Sequence, residues 1–216
     1  MKGVFWFLFK LFFPACCPGC KKDMSLCFNV PACSSCVDQF EFNRHLFTTK
    51  NLDSLHCHYL YKEPLRSFII HSKYHAKDYL LPYLLDQVTV LFSGFDCVIS
   101  VPGHPIKNVL RGYNPASLIA SAISRKAGIP FKANFISRKL WSKSQKKLTK
   151  SERWENSQAS FFIHKSIRKN CFGLKILLID DVCTTSSTLE VCAKILKNQG
   201  AKEVHGWALC YEELQK

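Results

Sequence analysis

The sequence predicts an α/β protein: a parallel-sheet domain over residues 51–216, preceded by a small cysteine-rich segment within residues 1–50. Three observations carry this reading. From about residue 55 onward, short apolar runs alternate with segments of helical period. The last of them follow one another as strand, helix, strand at the spacing of a βαβ unit. Two Cys-x-x-Cys pairs precede them in a stretch rich in turn residues.

The chain has 216 residues, 47% of them apolar, which is enough for a packed core and excludes general disorder. Residues 1–14, MKGVFWFLFKLFFP, are apolar and aromatic. The run is too short to span a bilayer; Lys10 interrupts it and Pro14 follows it, so a secretory signal is the alternative and not the main reading. It reads as a short amphipathic helix that packs on the protein or touches a membrane. The protein is then expected in the cytoplasm, peripheral to the inner membrane where that helix docks.

Six of the 12 cysteines fall between Cys16 and Cys36. Cys17 and Cys20 form one pair, Cys33 and Cys36 the other, with twelve residues between the pairs. Tetrahedral zinc needs four converging ligands, and each pair supplies two from one turn. Pro18 and Gly19 favour the first turn, while Cys16 and Cys27 are alternative ligands. Four thiolates make such a zinc structural. A redox Cys-x-x-Cys usually lies beside a βαβ pattern, which this segment lacks. Cys97, Cys171, Cys192 and Cys210 lie in or beside apolar runs, as reduced thiols in a core do.

Helical spacing recurs around residues 64–85, broken by HSKYHAKD, which reads as a turn. Residues 95–101, FDCVISV, read as a buried strand that stops at Pro102. PGHPIKNVLRGY follows as a loop. Asn114 then suits an N-cap and Pro115 the first helical position. Leu118, Ile119, Ala122 and Ile123 make an apolar stripe, and Gly128 ends the helix. Residues 175–182 read as a strand, 188–199 as a helix ended by Gly200, and 204–211 as a strand.

The net charge is +14, which points to a polyanionic partner. Residues 138–153 hold seven basic residues and one acid, flanked by Trp141 and Trp154. Such a segment can be a solvated face, a lid over a phosphorylated ligand, or a surface that binds single-stranded DNA.

Asp180 and Asp181 stand at the carboxyl end of the 175–182 strand, where ligands bind in open parallel sheets. Thr184, Thr185, Ser186, Ser187 and Thr188 then lead into a helix, whose first N–H groups suit a phosphate. The carboxylates suit hydroxyl donors. A sugar phosphate with a diol at one end satisfies both halves. Helix capping alone explains only part of this pattern. A nucleotide hydrolase would need a Gly-Lys phosphate loop, and no Gly here is followed by Lys. Magnesium, which takes few carboxylates plus substrate phosphates, is compatible with the main reading.

ILLIDDVCTTSST resembles the phosphoribosyl-pyrophosphate signature of type I phosphoribosyltransferases, D-D-V-x-T-T-G-x-T after an apolar strand. Over nearly its whole length the chain resembles the ComF family of competence-associated proteins. The likeness runs through the Cys pairs, SKYHAKDYLLPYLL, FDCVISVPGHPIKNVLRGYNPASLIA, the Arg138, Gln145, Arg153 and Asn156 spacing, and the final βαβ unit. The resemblance implies that Asp180 and Asp181 face ribose hydroxyls and that Thr184 to Thr188 wrap the 5′-phosphate. It also implies that Pro102 and Gly103 open the pyrophosphate loop, with Arg111 and Lys73 as its cations. Phosphoribosyl pyrophosphate with Mg2+ is the implied ligand, and single-stranded DNA and proteins of the DNA-uptake machinery are implied partners. Ser186 departs from the signature glycine, which favours binding over efficient transfer. The chain is then either a transferase or a ligand-sensing, DNA-binding module. No catalytic residue or acceptor is legible.

Overall fold

A computed structural model describes residues 16–24, 32–74, 80–88, 92–139, 160–163 and 171–213. The apolar N-terminal segment, Cys27, Trp141, Trp154, Gln145, Arg153, Asn156 and all but the first two residues of the basic segment lie outside the described residues.

In chain order the described elements are α1 (Ser34–Val37), β1 (Ser54–Leu60), α2 (Leu65–Tyr74), α3 (Leu80–Asp86), β2 (Cys97–Ser100), α4 (Pro105–Arg111) and α5 (Pro115–Ala127). The short strands β3 (Ser137–Arg138) and β4 (Phe161–Phe162) follow, then β5 (Lys175–Cys183), α6 (Ser187–Asn198) and β6 (Glu203–Tyr211). Four strands form one parallel sheet in the order β1, β6, β5, β2. The strands β3 and β4 pair antiparallel as a separate ribbon.

Alternation along β5 explains how the layers form. Leu177 and Ile179 point into a core with Phe68, Ile69, Leu84, Ile119 and Ile123 from α2, α3 and α5. Ile176 and Leu178 point the other way, onto Leu189, Cys192 and Leu196 of α6. Both faces are covered, as a parallel sheet requires. The edges are also occupied. Glu41 and Asn43 exchange backbone hydrogen bonds with Leu60 and His58 of β1, and Pro130 and Lys132 do so with Val98 of β2.

The cysteine segment packs onto this unit: Cys17, Met24, Ala32, Cys36 and Phe40 belong to the same buried cluster as Phe68. Phe40 meets Phe68 edge to face at 5.5 Å. Gly19 is required by close approach, because a Cβ there would lie 2.9 Å from both Cys36 Sγ and Pro64 Cβ.

Two expected irregular segments are helical. His71 to Tyr74 complete α2, and the polar Ser72 is fully buried there because its Oγ donates to Ile69 O at 2.8 Å. Residues 105–111, expected as loop, form α4. Pro105 starts it, and Gly112, at φ 80°, ends it by donating its N–H to Asn108 O. Asn114 takes the N-cap position of α5 without capping it. Its Nδ2 instead donates to Val101 O at 2.9 Å and Ser117 Oγ at 3.0 Å. The stripe on α5 is as expected, with Ile119 and Ile123 buried and Leu118 and Ala122 packed at its border. No helix among the described residues is long and apolar enough to cross a membrane.

Candidate functional site

The carboxyl ends of β2 and β5 lie side by side. Ser100 is level with Ile179, and Val101 N–H donates to Ile179 O at 2.8 Å. This register brings Pro102 and Gly103 beside Asp180 and Asp181. A Cβ on Gly103 would stand 2.4 Å from Asn108 Oδ1 and 3.0 Å from Asn114 Oδ1, so the loop closes tightly over residue 103.

Successive residues of a strand face opposite ways, and the two acids meet different surroundings. Asp181 turns toward α2, where Lys73 Nζ lies 2.5 Å from its Oδ2. Both side chains are less than one-fifth exposed, so Lys73 is no solvated surface lysine. Burial pushes the Asp181 carboxyl upward, but the Lys73 charge and hydrogen bond outweigh it and hold Asp181 below its ordinary range. For Lys73, burial acts downward, and the charge of Asp181 carries its pKa up. Asp180 lies on the α6 side, close enough to Cys192 and Arg138 for its charge to act on both. Burial, and next the charge of Asp181, raise its carboxyl well above the usual range. One acid is thus ionised and paired, while the carboxyl of its neighbour is held above its ordinary range.

Beyond Asp181 the chain turns through Thr184 and Thr185, both exposed, into α6. Ser186 takes the N-cap position in the left-handed region, at φ 56° and ψ −4°. That is the conformation the signature glycine would adopt at no steric cost, here imposed on a residue with a Cβ. Its Oγ donates to Thr185 O at 2.6 Å, and Thr185 Oγ1 and Ser187 Oγ share a hydrogen bond of 2.8 Å. Among the described residues no side chain caps α6, so the first-turn N–H groups of Ser187 and Thr188 are left open to an anion.

Arg111 ends α4, its guanidinium 5.7 Å from the Tyr74 ring centre and near enough to Lys73 to depress it. Lys73 and Arg111, the two cations named from the resemblance, therefore stand together on the Asp181 side. Arg138, read from sequence only as one member of a spaced pattern, lies on the Asp180 side. His104, at the start of α4, was not singled out by any periodic or motif signal.

Cys17, Cys20, Cys33 and Cys36 converge, with their Sγ atoms all within 4.8 Å of one another. Zn–S bonds of about 2.3 Å place tetrahedral sulfurs about 3.8 Å apart, and Cys20 and Cys33 already stand at 3.6 Å. The cluster can hold a metal ion such as zinc. At Cys17 burial raises the thiol, but N–H groups of Cys33, Cys20 and Gly19 prevail and bring it to about 6, so a thiolate is available at neutral pH. Cys16 is exposed and lies outside this group.

Residues 114–215 match the phosphoribosyl transferase domain model. Competence protein F of Haemophilus influenzae is 27% identical over 208 residues, 89% of each chain. The chain is a homologue of competence protein F. That agrees with the ComF-family resemblance, and the parallel sheet agrees with the fold it implied. The DNA utilization protein YhgH of Escherichia coli K12 is 28% identical over 115 residues, covering 53% of this chain and 49% of that protein. Among solved structures, a purine phosphoribosyltransferase from Pyrococcus horikoshii has 20% identity and a TM-score of 0.33, covering 67% of this chain and 73% of that one. At that score the likeness carries no argument about the site.

Proposed function

We propose that this phosphoribosyl transferase domain binds 5-phosphoribosyl 1-pyrophosphate. The observation that carries the proposal is the pairing of chemically unequal acids with an uncapped, hydroxyl-rich helix start. Asp181, ionised, and Asp180, with its carboxyl held above its ordinary range, would meet the ribose hydroxyls. The first-turn N–H groups of α6 and the hydroxyls of Thr184 to Thr188 would hold the 5′-phosphate. Pro102 and Gly103, with Lys73 and Arg111, would border the pyrophosphate. Two carboxyl groups, with no third acid beside them among the described residues, suit a Mg2+ that arrives on ligand phosphates, and Asp180 and Asp181 would hold it as carboxylates. Bound there, the metal would offset phosphate charge as the bond to C1 weakens. The protein's own part is to position the ligand and to supply N–H and cationic groups where charge develops. A zinc held by the four cysteines would be structural, fixing the N-terminal segment against the core.

The names of the relatives, competence and DNA utilization, support a role linked to DNA uptake. A second reading is a ligand sensor that binds single-stranded DNA and transfers nothing. Ser186 in the left-handed region and the pairing of Lys73 with Asp181 favour it, because both must be overcome before the site closes on a ligand. Calorimetry with phosphoribosyl pyrophosphate and Mg2+ tests the shared claim, and absence of binding would overturn it. Pyrophosphate release across a panel of nucleobases separates the two readings: turnover supports a transferase, and tight DNA binding without turnover supports the sensor.

A further inference from the structure

Arg138 lies on β3 of the antiparallel ribbon with its side chain half-buried. Its guanidinium sits 5.2 Å from the Phe161 ring centre on the neighbouring strand β4. Among the described residues that guanidinium makes no hydrogen bond or ion pair, although it carries five N–H donors. A half-buried guanidinium with its donors unclaimed is costly unless something else satisfies them. The charge of Asp180 reaches it, but among the described residues the two form no ion pair. His104 stands near the Arg138 charge, and its Nδ1 is buried without a partner among the described residues.

The placement of these groups separates them from the cations already described. His104 precedes the first residue of α4 and Arg111 is its last. Seven helical residues rise about 10 Å, so His104 and Arg111 stand at opposite ends of α4. Lys73 and Arg111 serve the Asp181 end. Arg138, backed by Phe161 and His104, serves the Asp180 end.

We propose that Arg138 and His104 form a second oxyanion subsite that takes a carboxylate or phosphate group of the acceptor while the first end takes pyrophosphate. This rests on the reading of the domain as a phosphoribosyl pyrophosphate site. The planar fork of Arg138 matches a carboxylate or phosphate in two parallel hydrogen bonds, and the Phe161 ring leaves a flat aromatic surface beside it. The acceptor is accordingly expected to be planar and anionic, not a neutral base.

The test uses the zinc-loaded full chain and calorimetry with three probes: benzoate, phenyl phosphate and inorganic pyrophosphate. Benzoate or phenyl phosphate should bind, and whichever binds more tightly names the anion. Arg138→Gln should weaken that probe at least tenfold, Arg138→Lys less, because it keeps charge without the fork. Lys73→Met should leave it within twofold while weakening pyrophosphate. Thermal midpoint and zinc content establish that each variant is folded. Should neither aromatic probe bind, or should binding be indifferent to Arg138, the subsite is wrong. It is equally wrong if pyrophosphate is the probe that depends on Arg138. Failure of phosphoribosyl pyrophosphate to bind, with benzoate or phenyl phosphate still dependent on Arg138, would remove the proposed function and keep the anion site.

Discussion

Replacing Asp180 and Asp181 one at a time by Asn should move stability in opposite directions, although the residues are adjacent and the changes identical. Asp181 is ionised against Lys73 at 2.5 Å with both side chains less than one-fifth exposed. In Asp181→Asn the amide keeps the shape and loses the charge, leaving Lys73 partly buried without a counter-ion. Breaking one side of a buried pair costs about 3–5 kcal/mol, and the residual exposure here argues for the lower end, about 3 kcal/mol. Asp180 is the reverse case. Burial and the Asp181 charge oppose its ionisation, and an amide removes that conflict while Oδ1 still accepts the Asp181 N–H at 2.9 Å. The pH dependence follows from linkage. The folded pKa of Asp181 is depressed, so its contribution is present above the ordinary carboxylate range and is lost as pH falls through the folded value. That of Asp180 is raised, so its contribution is present below the ordinary range and is lost as pH rises through the folded value. Urea unfolding of the zinc-loaded protein at pH 5 and pH 8 reads both. Asp181→Asn should be weaker at both values, and Asp180→Asn should exceed the wild type at pH 8 by more than at pH 5. If Asp180→Asn is the more damaging change at pH 8, the assignment of unequal acids is refuted.

Three further outcomes are expected. His58 is 6% exposed, and burial lowers its pKa to about 4, so its neutral form supports the fold and stability falls as pH drops from about 6.5 toward 4. The loss should reach about 2 kcal/mol at pH 5, and His58→Phe should flatten the profile between those values; an unchanged slope in urea titrations would count against it. Gly19→Ala pushes a Cβ to 2.9 Å from Cys36 Sγ and should cost about 1–3 kcal/mol with reduced zinc content by metal analysis. Ser186→Gly removes a left-handed cost of about 1–2 kcal/mol but adds unfolded-chain entropy. It should therefore leave the thermal midpoint nearly unchanged and tighten phosphoribosyl pyrophosphate binding in calorimetry, whereas Ser186→Val should weaken both.

Elements with local signals were legible in the order of residues alone. Strand β5 and helix α6 were legible because an uninterrupted apolar run and a 3.6-residue stripe are each written in consecutive residues. The Cys pairs were legible because turn geometry ties spacing to convergence. The mismatch at Ser186 was visible because backbone handedness is a property of one residue, and Ser186 does take the left-handed conformation. Local signals also misled: the polar letters of His71 to Tyr74 and the prolines around 105 concealed helices, since the bond from Ser72 and the cap at Gly112 exist only once the helix has formed.

The chemical difference between Asp180 and Asp181 arises in the fold. In the sequence they are two equal carboxyls. Strand alternation turns one toward Lys73 and the other toward α6 and Arg138, residues separated from them by 108 and 42 positions along the chain (181 − 73 and 180 − 138). Burial and charge partners set the protonation state of a group, and both belong to distances in the fold, which no motif encodes.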